Sequence, residues 1–141
     1  MAMSDDTLRA FLGATAPVLV GVIGTLGADG SPHVVPVWYR WDGASAHVWS
    51  DEKRVWVRNL LGDPRVAFSV QEMGPPYVAV VMRGRAEVTT SDEVAVSDEI
   101  RRITRRYIEP DDVEEYIAGW STLRTIVTIR PEAISSWGRG Y

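Results

Sequence analysis

Lys53, Arg54 and Arg58 put three cations into six residues of the stretch DEKRVWVRNLLGDPRV (51–66), in a chain whose formal net charge is -4. Positive charge gathered against the sign of the whole chain has two readings. A charge run is ordinarily a solvated helix face. The other reading is an anion site. A phosphate monoester needs converging N–H donors that carry positive charge, and an arginine fork meets that geometry better than a lone ammonium. Arg54 and Arg58 are spaced i, i+4, which places them side by side along a helix edge, with Lys53 just before them. On that reading Trp49 and Ser50, immediately upstream, would face the neighbouring part of the same ligand. An aromatic beside a phosphate cradle suits a ligand with a flat ring system at its other end.

Other chemistry is poorly supported. No nucleophile–base pair stands out, so no residue is assigned as catalytic. His33 and His47 sit in strand-like stretches, with no second His or carboxylate at metal-ligand spacing; a structural histidine is the simpler reading of each, and no metal site is assigned. The carboxylates cluster at helix starts and over Asp111–Glu115, where a solvated face explains them. The GxGxxG and phosphate-loop patterns are absent, which leaves a Rossmann-type nucleotide site unsupported. The chain has no cysteine, excluding disulfides, thiolate zinc sites and a Cys nucleophile.

The elements around the basic segment are mostly strands. Ser4 can cap a short helix with Asp5 and Asp6 in its first turn. The stretch from Pro17 to Glu52 reads as three strands joined by turns at Ala28-Asp29-Gly30 and Asp42-Gly43, which supply the positive-φ positions of tight hairpins. In the basic segment Trp56, Val57, Leu60 and Leu61 share an arc about 140° wide, a buried stripe for a helix. Gly62 and the residue before Pro64 end it. Two strands follow, RVAFSVQ and YVAVVMRGRAEVTT, joined by Met73-Gly74-Pro75-Pro76. From Ser91 to Gly119 the chain is helical, divided at Pro110, with i, i+4 pairs such as Asp98 with Arg102. LRTIVTIRP and EAISSWGRGY close it, as two strands or as one strand with a bulged continuation. Short antiparallel strands with hairpin turns predict a mainly β fold, a closed or partly closed barrel with flanking helices.

A length of 141 residues predicts one domain, spanning 1–141. The acidic balance argues against a nucleic-acid partner. No apolar run reaches the length of about 18 residues needed for a membrane span, and the acidic MAMSDDTLRAF has no signal-peptide core. The expectation is a cytoplasmic protein that binds a small molecule.

LGADGSPHVVPVWYRWDG, VWSDEKRVWVRNLLGDPRVAFSV and VVMRGRAEV resemble the pyridoxamine 5'-phosphate oxidase-like superfamily of flavin-binding split β-barrels, in particular its deazaflavin-dependent reductases. The likeness runs from about Val18 to Trp137, and the NL-x-x-DPRV-A run is its most specific part. It implies a homodimer of split barrels with a cofactor in each of two clefts at the interface. Val35, Pro36 and Val37 would run along the ring system, and Trp49 and Ser50 would contact the ring or ribityl chain. Lys53, Arg54, Arg58 and Asn59 would hold the phosphate, and Trp137 of the second subunit would add an aromatic. One departure stands out: such families usually place a phosphate-binding lysine where this chain has Trp56, so that either Lys53 or Arg54 substitutes or the cofactor phosphate is held differently. The activity implied is hydride transfer from reduced coenzyme F420 to a small conjugated acceptor, a quinone, an unsaturated carbonyl or a tetrapyrrole. The alternatives are an FMN-binding oxidase or reductase of the pyridoxamine phosphate oxidase type, and a non-catalytic flavin or deazaflavin carrier. The oxidase itself is the weaker reading, because Arg139 is the sole C-terminal cation suited to a phosphorylated substrate.

Overall fold

The computed structural model describes residues 3–75, 77–120 and 124–138; Arg139 lies outside them. Its elements are α1 (Asp5–Leu12), β1 (Gly21–Leu26), β2 (Pro32–Val37), β3 (Arg40–Trp41), β4 (Ala46–Ser50), α2 (Val55–Gly62), β5 (Arg65–Gln71), β6 (Ala79–Ser91), α3 (Val94–Thr104), α4 (Val113–Ala118) and β7 (Arg124–Trp137). All seven strands form one antiparallel sheet in the order β2-β1-β5-β6-β7-β4-β3.

Two long strands organise that sheet. β6 and β7 pair along their whole length, but β5 lies beside only the first half of β6 (Ala79 to Arg85), and β4 only beside Thr125–Ile129 of β7. The ribbon therefore belongs to two half-sheets. Its register slips between Arg83 and Gly84, where Glu132 is the extra residue between Pro131 and Ala133; such a bulge bends the strand and sharpens its twist. The last two expected strands are thus one bulged strand.

The Pro17–Glu52 stretch gives four strands where the sequence pattern predicts three. HVVPVWYRW divides because β2 pairs with β1 at one end of the sheet, whereas β3 pairs with β4 at the other. Trp38 and Tyr39 are the covalent bridge between the two ends, so the chain itself, and not a hydrogen-bond ladder, closes that side of the barrel. Both hairpin turns carry the expected positive φ, at Gly30 (83°) and Gly43 (102°), a region costly for residues with a Cβ.

The inward faces of β1, β4, β5, β6 and β7 bury Ile23, Val48, Phe68, Val70, Val80, Met82, Val127 and Ile129. α1 adds Leu8 and Leu12, and α2 adds Trp56, Val57 and Leu60 to the same core. Leu61 does not join it and is 62% exposed: it lies about 140° around the helix from Trp56, past the edge of the contact. A second cluster packs Val96, Ile100 and Ile103 of α3 on Trp49 and Ile126. On α3 the expected Asp98–Arg102 pair is replaced by i, i+3 pairs, Asp98 with Arg101 at 3.3 Å and Glu99 with Arg102 at 3.4 Å. Among the described residues no helix is long and apolar enough to cross a membrane.

Candidate functional site

The covalent corner at Trp38 forms one wall of a cavity of about 690 Å³. Four segments converge there: the end of β2 with Val35, Pro36 and Val37; the end of β4 with Trp49 and Ser50; the turn into α2 with Lys53 and Arg54; and α4 with the turn after it, contributing Tyr116 and Trp120. His33 and the buried Trp56 complete much of the lining.

The aromatic wall is locked by its own contacts. Trp38 is tilted against Tyr116 at a centroid distance of 5.2 Å, and Trp49 meets Trp120 edge to face at 4.9 Å. Behind them Arg106 ties the corner to the rest of the molecule. It donates to the carbonyls of Tyr39, Leu12 (3.1 Å) and Ala14 (3.3 Å), and lies over the Tyr39 ring. The Tyr39 hydroxyl donates to the Leu12 carbonyl at 2.7 Å. Burial pushes that phenol up to about 12, so it stays protonated. Tyr107, also raised chiefly by burial, donates to the Leu19 carbonyl at 2.6 Å. These two phenols are structural donors.

The cationic end is different. Arg54 is the N-cap of α2, with extended backbone (φ -66°, ψ 139°). Its side chain and that of Lys53 make no ion pair or hydrogen bond with the described residues; the Arg54 guanidinium lies over the Trp120 ring, 5.6 Å from its centroid. Two unneutralised cations beside an apolar, aromatic hollow are the donor set a phosphate-bearing planar molecule requires, and on that ground the site fits a flavin or deazaflavin.

The cavity thus gathers Val35, Pro36, Val37, Trp49, Ser50, Lys53 and Arg54 from the residues expected at a cofactor site. Three others lie elsewhere. Arg58 is exposed and outside the lining, so of the expected i, i+4 pair only Arg54 faces the cavity. Asn59 donates its side-chain amide to Thr25 Oγ1 at 3.1 Å, tying α2 to β1. Trp137, expected from a second subunit, lines within its own chain a separate hollow of about 490 Å³ with Tyr77 and Gln71. Sequence patterning does not assign Trp38, Tyr116 and Trp120 to the lining, where the structure places them. The signal for the last two is an aromatic on α4, Tyr116, with a second, Trp120, in the turn just after it.

The histidines separate clearly. His47 is held between Asp42 Oδ2 (2.7 Å from Nε2) and Thr128 Oγ1 (3.3 Å from Nδ1), away from the cavity. His33 is exposed at the cavity rim. Among the described residues no cluster of three or more His, Asp or Glu side chains is arranged to hold a metal ion.

A seven-stranded antiparallel sheet split over a shared ribbon, with flanking helices and a cleft at its corner, defines the class of split β-barrels. Within it the chain belongs to the pyridoxamine 5'-phosphate oxidase family, which it matches over residues 5–138. Among solved structures it is similar to a conserved hypothetical protein from Mycobacterium tuberculosis, with 24% identity, a TM-score of 0.80, and coverage of 97% of this chain and 86% of that one. It is similar to an F420 reductase at 29% identity and a TM-score of 0.63, covering 83% of this chain and 89% of that one. It also shares its fold with a heme storage protein from Vibrio cholerae, at 14% identity, a TM-score of 0.76, and coverage of 99% and 98%. No curated protein matches the chain.

Proposed function

We propose that the protein is a homodimeric oxidoreductase that binds coenzyme F420 in the corner cavity and passes a hydride to a small conjugated acceptor. The observation that carries this reading is the meeting, in one cavity, of the unpaired cations Lys53 and Arg54 with an aromatic wall and the end of β2. The 29% identical F420 reductase supports the choice of cofactor. Such a cofactor, when bound, supplies the hydride chemistry itself. The residues of this chain have narrower tasks. Lys53 and Arg54 hold the phosphate, standing in for the family lysine whose place Trp56 takes. Val35, Pro36 and Val37 set the plane of the ring system, and Trp38, Trp49 and Tyr116 exclude water from its far side.

The outward face of the sheet supports the homodimer. Register pairs Val22 with Pro36 and Gly24 with Val34 on that face, and Val34 is 70% exposed. Pro36 also lines the cavity, so a second copy covering this face would close the cavity mouth.

A second reading has its own support. The titratable groups of the lining are His33, Lys53, Arg54 and Tyr116, and among the described residues none is paired with a carboxylate as a general base requires. That composition also suits a carrier of FMN, a deazaflavin or a tetrapyrrole, and a heme storage protein shares the fold. Stopped-flow oxidation of reduced F420 with menadione, cyclohexenone and biliverdin as acceptors, alongside FMN titration, separates the two. Turnover with F420 is expected; tight FMN binding without F420 affinity replaces the first reading with an FMN protein.

A further inference from the structure

We propose that Trp120 is a positioning residue, holding the Arg54 guanidinium in place to receive a phosphate; the proposal rests on the anion reading of Lys53 and Arg54. The backbone of Arg54 is fixed on both sides: its N–H donates to the Asp51 carbonyl at 3.1 Å and its carbonyl accepts from Arg58 at 3.0 Å. Its side chain is not fixed that way. Exposed arginine loses much rotamer freedom when a ligand orders it, and the cost falls if a neighbour has already placed it.

Trp120 is that neighbour. The Arg54 Cζ lies 5.6 Å from the Trp120 ring centroid, within cation–π range. The indole is in turn braced edge to face on Trp49 at 4.9 Å and tilted against Tyr116 at 6.4 Å, and the backbone N–H of Trp120 donates to the Ile117 carbonyl at 3.1 Å. Comparison with Arg106 shows why this is not a second structural clamp. Arg106 also lies over a ring, Tyr39 at 4.6 Å, but its N–H groups are used on the carbonyls of Leu12, Ala14 and Tyr39. Arg54 has the ring contact without the acceptors. A guanidinium held against a ring, and not by carbonyls, keeps its N–H donors free, and those donors match a phosphate. The anion end of the cavity is thereby coupled to α4, an element that sequence patterning assigns only a solvated role.

The test is calorimetric titration of the full chain with inorganic pyrophosphate, FMN and riboflavin, for wild type, Trp120→Leu, Trp120→Phe, Arg54→Ala and the double variant Trp120→Leu/Arg54→Ala. Losing an exposed cation–π contact corresponds to about a 2- to 5-fold weaker binding constant. Trp120→Leu is expected to lose that factor toward pyrophosphate and FMN but not riboflavin, Trp120→Phe to retain most of the affinity, and Trp120→Leu to add nothing in the Arg54→Ala background. Equal losses for FMN and riboflavin mean that Trp120 merely packs against the ring, and overturn the proposal. So do additive effects in the double variant, or pyrophosphate binding that is absent in wild type or unchanged by Trp120→Leu. If neither F420 nor FMN binds while pyrophosphate shows the expected pattern, the proposed function fails and the positioning role stands.

Discussion

Trp38 stacks on Tyr107 with ring centroids 4.8 Å apart and planes within 4° of parallel. This contact joins the covalent corner of the barrel to the turn that ends α3. Because the corner is made by chain connection and not by a strand ladder, its stability depends on the side chains behind it, above all Arg106. The Arg106 guanidinium satisfies three carbonyls around the fully buried Tyr39.

Arg106→Ala is therefore expected to destabilise the fold by about 1.5–3 kcal/mol, the range for hydrogen bonds to a charged group. Urea denaturation measures it. Arg105→Ala, on the neighbouring exposed arginine, is the control and should stay within about 0.5 kcal/mol of wild type.

At the anion end, Arg54→Ala should weaken FMN or F420 binding by about 1.5–3 kcal/mol, and Lys53→Ala by a similar or smaller amount. Arg58→Ala should have little effect, because Arg58 is outside the cavity lining. Fluorescence titration reads all three, with Arg130→Ala as control. Arg130 pairs with Glu87 at 2.9 Å on an exposed surface, whereas Arg101 would be a poor control because it links α3 to Glu114 on α4 at 2.7 Å. A loss in Arg58→Ala equal to that in Arg54→Ala would restore the helix-edge fork suggested by their spacing.

That fork illustrates what the sequence makes legible. Strand periodicity, the turn glycines and the buried stripe of α2 are local patterns, and they correspond to the observed elements from α1 to β7. The basic turn and Trp49 are neighbours in sequence, and the cavity contains both. Arg54 lines the cavity and Arg58 does not; Arg54 is an N-cap with extended backbone, a state that no spacing rule signals. Trp38, Tyr116 and Trp120 needed tertiary information: β2 and β3 lie at opposite ends of the sheet, and α4 reaches the cavity only after a long excursion in the chain. The division of HVVPVWYRW between those two strands is itself a consequence of barrel closure.

Acid stability should depend on Asp42. Burial opposes its ionisation, but hydrogen bonds from the His47 ring and from the N–H groups of Ser45 and Ala44 prevail and hold its pKa at about 2, against an ordinary 3.8. A carboxylate depressed by folding contributes stability above its unfolded pKa, and that contribution disappears as pH falls through the folded value. Between pH values of about 4 and about 2, wild type should therefore lose stability more steeply than Asp42→Asn, which lacks the titrating group. Urea midpoints across that window check this, and parallel slopes would remove Asp42 from the acid response.

The outward face of the sheet supplies the last expectation. Val22 is 40% exposed, Val34 70% and Trp137 43%, and the register sets Trp137 opposite Ala79 and Val81 opposite Ser135 on the same side. Apolar surface of this kind marks an interaction site. Under the homodimer proposal, Val34→Glu places a charge in the interface, where its desolvation is costly, while leaving the barrel core untouched. Sedimentation velocity should then show a dimer for wild type at micromolar concentration and a monomer for Val34→Glu. Trp137 enters through the same experiment. If the partner subunit contributes it to the cofactor cleft, Trp137→Ala should weaken FMN or F420 binding in the dimer, although Trp137 lines a separate hollow within its own chain. In the Val34→Glu monomer the same substitution should change nothing further. A wild-type protein that sediments as a monomer with unaltered cofactor affinity would confine the site to the residues of a single chain.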